Sequence, residues 1–300
     1  MGLARMDDML AHARRGGYAI GYFEAWDQHS LEVTIEAAEA LRAPAIIGFG
    51  GGVTRRAYLD HRGIEALATL ADCLATHASV PTAVLINEVH TLDQVARGLR
   101  SGCNAAMLST DGMTFADSVA MTRQVVALAG SVGATVEAEL GDLPDARHRA
   151  ASTALTDPAQ AAEFVARTGV DALAVSIGNV HCVTDGSAPL VDLALLEALR
   201  AAVPVPLVLH GGSGLSDAAV PDLIARGVAK INVGTVLKQV FLAELEQALA
   251  EVPAGMDVQE RLGSRGEADV MVRAQAAVRA EVERRIRLYG SAGQADGWRP

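Results

Sequence analysis

Eight short apolar runs, each followed by a longer stretch of helical character, organise nearly the whole chain. The runs are residues 18–23, 45–49, 82–86, 105–108, 135–140, 172–177, 206–209 and 230–233. Between them lie amphipathic stretches such as 30–42, 64–76, 92–100, 115–128, 158–168 and 193–201. Strand–helix alternation predicts an α/β fold with a parallel sheet. Eight such units favour a closed (β/α)8 (TIM) barrel over an open doubly wound sheet. No Gly-x-Gly-x-x-Gly follows the first run, which weighs against a dinucleotide-binding sheet. At 300 residues the chain suits one barrel domain over 1–300. The charged, helix-patterned segment 257–288 is expected as an additional C-terminal helical extension. Residues 293–300 are expected as a loose tail. The polar segment 141–156, after the fifth run, has the length and composition of a lid.

Composition narrows the function classes. Half of the residues are hydrophobic and only 4% are aromatic, so the core is built from Ala, Val, Leu and Ile, as parallel strands buried on both faces require. The net charge of −11 argues against nucleic acid as a partner. It leaves room for an anionic small molecule, because backbone N–H groups can hold a phosphate locally. The three cysteines, Cys73, Cys103 and Cys182, show no Cys-x-x-Cys spacing and fit a reducing cytoplasm. Cys73 and Cys103 read as small core residues. No run of about 20 apolar residues is present to span a bilayer, so no membrane role is expected.

In this barrel type, active sites lie at the C-terminal ends of the strands, so the residues that follow each run carry the argument. The first run ends at Glu24. The third ends at Asn87 and Glu88, with His90 close by, and the fourth leads to Ser109 and Asp111. The fifth contains Glu137 and Glu139. The sixth leads to His181, and the seventh ends at His210 followed by Gly211, Gly212, Ser213 and Gly214. The eighth carries Asn232 and then Gly234 and Thr235. Carboxylates and imidazoles gathered on one rim are the usual ligands of a catalytic zinc-type site. A glycine turn after strand seven lets N–H groups approach an anion, and the loops after strands seven and eight are the common phosphate site of such barrels. Lys230, two residues before Asn232 on the same strand face, could instead serve a Schiff-base mechanism.

At these residues the sequence resembles a known family. VEAELG (136–141), DALAVSIGNVH (171–181), LVLHGGSGL (207–215) and GVAKINVGT (227–235) are similar, in order and spacing, to signatures of the class II, metal-dependent fructose- and tagatose-bisphosphate aldolases. The resemblance extends to the early YAIG and the late YGSAGQA. It implies a divalent metal, usually zinc, held by three histidines. That metal stabilises an enediolate of dihydroxyacetone-phosphate type as a carbon–carbon bond breaks. His181 and His210 match two ligands, and Glu139 matches an acid that can bind a second metal. Gly211, Gly212 and Ser213 match the phosphate loop, and Asn232, Gly234 and Thr235 the strand-eight substrate motif. A homo-oligomer, dimer or tetramer, is also implied.

Strand three departs from the family. Where Leu-Asp-His-Gly is usual, the chain reads Ile86-Asn87-Glu88-Val89. Glu88 then becomes the third ligand, with His90 the competitor; a His2Glu set suits zinc and also manganese or cobalt. Loss of the metal is the third possibility. Asn87 stands where an acid exchanges a proton, and an amide does not titrate. Asp111, Glu24 and Glu88 are possible replacements. The expected function is a metal-dependent lyase acting on a ketose phosphate of unspecified sugar. The alternatives are an isomerase or epimerase on the same scaffold, and a catalytically altered phosphosugar-binding or partner subunit.

Overall fold

The computed structural model of the protein describes residues 2–52, 54–141, 144–146, 154–184 and 189–298. Eight parallel strands close into a barrel: β1 (Ile20–Glu24), β2 (Ala45–Gly50), β3 (Pro81–Val89), β4 (Ala105–Leu108), β5 (Thr135–Leu140), β6 (Ala172–Val175), β7 (Leu207–Leu209) and β8 (Val228–Val233). Each pairs with the next, and β8 returns to β1 with Tyr22 opposite Asn232. A two-residue strand, Gly2–Leu3, joins the start of β3. Helices occupy the crossovers, as the alternation predicts.

Side-chain alternation along the strands divides the core in two. Phe23, Ile47, Val84, Ile86, Leu173 and Leu209 pack outward in the large cluster shared with the helices. Tyr22, Ile46, Leu85, Met107, Ala174 and Val208 belong to a second cluster inside the barrel. The sequence reading missed what completes that inner cluster. A helix over Met6–Gly16 precedes the first barrel strand, and Met6, Met9, Leu10 and Ala13, all fully buried, close the lower end. Their i, i+3, i+4, i+7 spacing was the available signal.

The C-terminal region differs from the expectation of one extension and a loose tail. The segment 257–288 holds a short helix, Val258–Arg261, and a long one, Val270–Leu288. Val278, Val282 and Ile286 of the long helix belong to the main core. Beyond it, the Gly293 and Ala295 N–H groups donate to the Leu41 and Arg42 carbonyls, at 2.8 and 2.9 Å. Ala295 is buried, and Trp298 packs on the His12 ring. These contacts hold the tail through Trp298. Cys103 is buried as expected, but Cys73 is exposed on the helix Ile64–His77. Among the described residues no helix is long and apolar enough to cross a membrane.

Candidate active site

The rim at the C-terminal strand ends holds a polar chamber whose walls include Glu24, Asn87, Glu88, Ser109, Asp111, Glu139, Asp145, His181, Gly211, Ser213, Asn232, Gly234 and Thr235. Residues 142–143 and 147–153 of the expected lid lie outside the described residues. The described stretch Pro144–Ala146 is pinned to the rim. The His181 N–H donates to the Pro144 carbonyl (2.9 Å), and the Ala146 N–H to the His181 carbonyl (3.0 Å). This fixes the backbone that presents the His181 ring.

Strand β3 supplies two neighbours to the same chamber, which simple alternation forbids. The β3–β4 register shifts between Ile86 and Val89, and Glu88 takes a left-handed φ of 50°. A bulge of this kind re-aims a side chain, so Asn87 and Glu88 both face the chamber. A strained non-glycine residue at a strand end is a common mark of a functional site. Candidate ligand atoms of Glu88, His181 and His210 lie within 4.8 Å of one another. The His181 and His210 rings meet edge to face at 5.6 Å. His90 is exposed and is not in this group.

His210 is the buried centre of the arrangement. Its Nε2 lies 2.9 Å from Glu137 Oε1. Its Nδ1 lies 3.0 Å from both Glu88 Oε1 and Glu139 Oε2. Despite those distances, Nδ1 and Glu139 Oε2 have no hydrogen-bond partner of proper alignment among the described residues. Burial disfavours a charged imidazole, but Glu139, Glu137 and Glu88 outweigh it and raise the His210 pKa well above the usual value. Burial likewise raises the Glu88 carboxyl, yet His210 and His181 bring it down to about 2. A fully buried imidazole among three carboxylates calls for positive charge. A proton meets that demand, and so does a divalent cation ligated at Nδ1. With Nε2 oriented by a carboxylate, the second arrangement is the usual carboxylate–histidine–metal unit. The donor set, two imidazoles and a carboxylate, therefore fits such an ion.

Lys230, the residue of the Schiff-base alternative, is fully buried beneath this cluster. Its Nζ lies 3.0 and 2.8 Å from the two Glu137 oxygens and 4.9 Å from the centre of the Tyr22 ring. Burial lowers its pKa, while Glu137 opposes the shift. The small neighbours Ala83, Ala105 and Ala172 inside the barrel make room for this pair.

The opposite wall is built for an anion. Gly211 has φ of 70°, and a Cβ there would run into the Val180 carbonyl. At Gly212 a Cβ would sit 2.6 Å from the Asn232 carbonyl oxygen. Glycine at both positions lets the loop press against β8. The helix Thr235–Ala250 starts beside the loop, and its Val236 N–H donates to Ser213 Oγ at 3.2 Å. The dipole of this helix favours negative charge there. Both amide atoms of the buried Asn232 side chain lack a hydrogen-bond partner among the described residues. Glu24, next to Gly234, is raised to about 7 by burial, which outweighs Lys238 at 3.8 Å. Asp111 stands exposed at the rim; crowding by protein and the charge of Glu139 push its carboxyl upward. Trp26, shortly after β1, packs on Phe241.

Solved structures share the fold that carries this site. A crystal structure of the YdjI aldolase from Escherichia coli K12 is 31% identical, covers 98% of this chain and 99% of its own, and has a TM-score of 0.82. A crystal structure of a putative fructose-1,6-biphosphate aldolase from Coccidioides immitis is 25% identical, covers 98% and 99%, and has a TM-score of 0.83. The fructose-bisphosphate aldolase of Campylobacter jejuni, at 18% identity over 97% and 96% with a TM-score of 0.77, shares the fold. The family described as fructose-bisphosphate aldolase class-II matches residues 4–294. A closed parallel barrel with imidazoles, carboxylates and a glycine loop on one rim thus meets a family match over nearly its whole length, and the chain belongs to the class II fructose-bisphosphate aldolase family.

Proposed function

We propose that the protein is a metal-dependent aldehyde-lyase that cleaves or forms a carbon–carbon bond in a ketose phosphate through an enediolate of dihydroxyacetone-phosphate type. The observation that carries this reading is the group Glu88, His181 and His210, of which Glu88 and His181 line one chamber with Gly211, Ser213 and Thr235 at the start of the helix Thr235–Ala250. A divalent ion held by those three side chains, with Glu139 beside them, would polarise the substrate carbonyl and hydroxyl. Zinc is the first choice, with manganese or cobalt as the other candidates. Gly211, Gly212, Ser213, Asn232, Gly234 and Thr235 would hold the phosphate. Glu137 would keep the His210 ring oriented. Asn87 would orient a substrate hydroxyl without exchanging its proton. Glu24, with a carboxyl raised to about 7, is suited to move a proton near neutrality, a role for which Asp111 is the rival. The buried pairing of Lys230 with Glu137 argues against Schiff-base chemistry.

The first test is elemental analysis of the purified protein and of Glu88→Ala and His210→Ala. Near-stoichiometric metal in the wild type, lost in both variants, is expected. Metal-dependent proton exchange at the carbinol carbon of dihydroxyacetone phosphate should accompany it. Absence of bound metal after addition of zinc, manganese or cobalt would overturn the mechanism in favour of a phosphosugar-binding subunit. Exchange without cleavage of any ketose phosphate would favour the isomerase or epimerase.

A further inference from the structure

Arg284, Arg285 and Arg287 lie close together near the end of the helix Val270–Leu288, and they differ in burial. Arg285 is only 3% exposed. Its Nη1 donates to the Gly212 carbonyl oxygen at 3.1 Å, and its Nε donates to Glu281 Oε1 at 2.8 Å. Glu281 also receives Arg284, whose other nitrogen reaches Asp217 just beyond the loop. The terminal helix thus grips the segment 211–217 at two points, one buried and one exposed.

Peptide geometry turns this grip into an effect on the anion site. Among the described residues every peptide bond is trans, so the carbonyl of Gly212 and the N–H of Ser213 point in opposite directions across one rigid plane. A guanidinium that holds the carbonyl on the helix side directs the Ser213 N–H toward the chamber that Ser213 lines. The bound cation also polarises that peptide and strengthens its N–H as a donor. The Leu215 N–H also reaches the Gly212 carbonyl, at 3.4 Å, so the loop's own turn and the closer guanidinium hold that peptide together. We propose that Arg285 is a positioning residue that presets the Gly211–Ser213 loop for phosphate, making the terminal helix a working part of the anion site. This rests on the phosphate reading of the loop given above.

The test uses the full chain loaded with zinc and inorganic phosphate as the probe, with affinity measured by titration calorimetry and zinc by elemental analysis. Arg285→Met should weaken phosphate binding on the order of tenfold, as expected when a hydrogen bond to a charged group is lost. Zinc content should stay at the wild-type level. Arg285→Lys, which keeps the charge but loses the fork, should fall between the two. Val278→Ala loosens the same helix where it packs in the core; it should lower Tm yet leave phosphate affinity within about twofold. Unchanged affinity in Arg285→Met would overturn the proposal, as would a loss in Val278→Ala equal to that in Arg285→Met. If Arg285→Met does not fold, Arg285→Lys decides: weaker phosphate binding supports the role, and wild-type affinity removes it. A wild type that binds no phosphate would remove the phosphate reading itself, whereas wild-type binding with an indifferent Arg285→Met removes only the role of Arg285.

Discussion

The chemistry at the centre of the barrel hangs on a chain of side chains, Lys230 to Glu137 to His210, all fully buried. Removing one member of a buried ion pair leaves the other uncompensated, which costs about 3–5 kcal/mol. Lys230→Met should therefore lower the unfolding free energy measured by chemical denaturation by that much, while Lys230→Met with Glu137→Gln recovers most of the loss. Borohydride trapping with dihydroxyacetone phosphate should give no adduct on Lys230. Glu24 provides a pH signature. Its folded pKa is raised from 4.5 to about 7, so between those values the folded state binds more protons than the unfolded one. Stability then falls as pH rises through that window, by up to about 3 kcal/mol. In the metal-free protein Glu24→Gln should flatten this slope, and thermal unfolding from pH 4 to 8 measures the difference. An equal slope in both proteins would remove Glu24 as the titrating group.

At the scale of elements, the eight strands were legible because a buried parallel strand leaves a compact apolar mark that survives divergence. The residues at their ends were legible because the barrel type says where to look. Other features left no such mark. The bulge that brings Asn87 and Glu88 to one chamber is a matter of register, and register lies in pairing with β4, outside the local sequence. The burial of Arg285 did leave a trace, since Val278, Val282, Arg285, Ile286 and Tyr289 fall on one helical face; its charge masked the pattern. Both Glu137 and Lys230 read as rim chemistry, whereas their ion pair sits deeper, where the alanines of neighbouring strands leave space. The glycine loop gives the test proper to this scale. Gly211→Ala places a side chain at φ of 70°, costing about 1–2 kcal/mol before any clash with Val180. It should lower both the denaturation midpoint and the affinity for inorganic phosphate. Loss of neither would mean that the loop adopts another conformation.

Over the whole molecule, the two chain ends finish structures begun elsewhere. The helix Met6–Gly16 packs into the bottom of the barrel, and the segment 293–298 fastens to the end of the helix Gln28–Ala40. Leu10→Ala should cost about 2–5 kcal/mol, as a cavity at a fully buried leucine does, measured by urea denaturation. A cost under about 0.5 kcal/mol, typical of surface substitutions, would mean that the helix is not part of the core. Among the described residues Met6, Met9 and Leu10 stopper the lower end, and the polar chamber lies at the rim. The barrel is therefore a cup and not a pipe. A small molecule that reaches the rim chamber would come and go on the same side of the barrel, and whatever sits nearest the floor would be the part furthest from solvent.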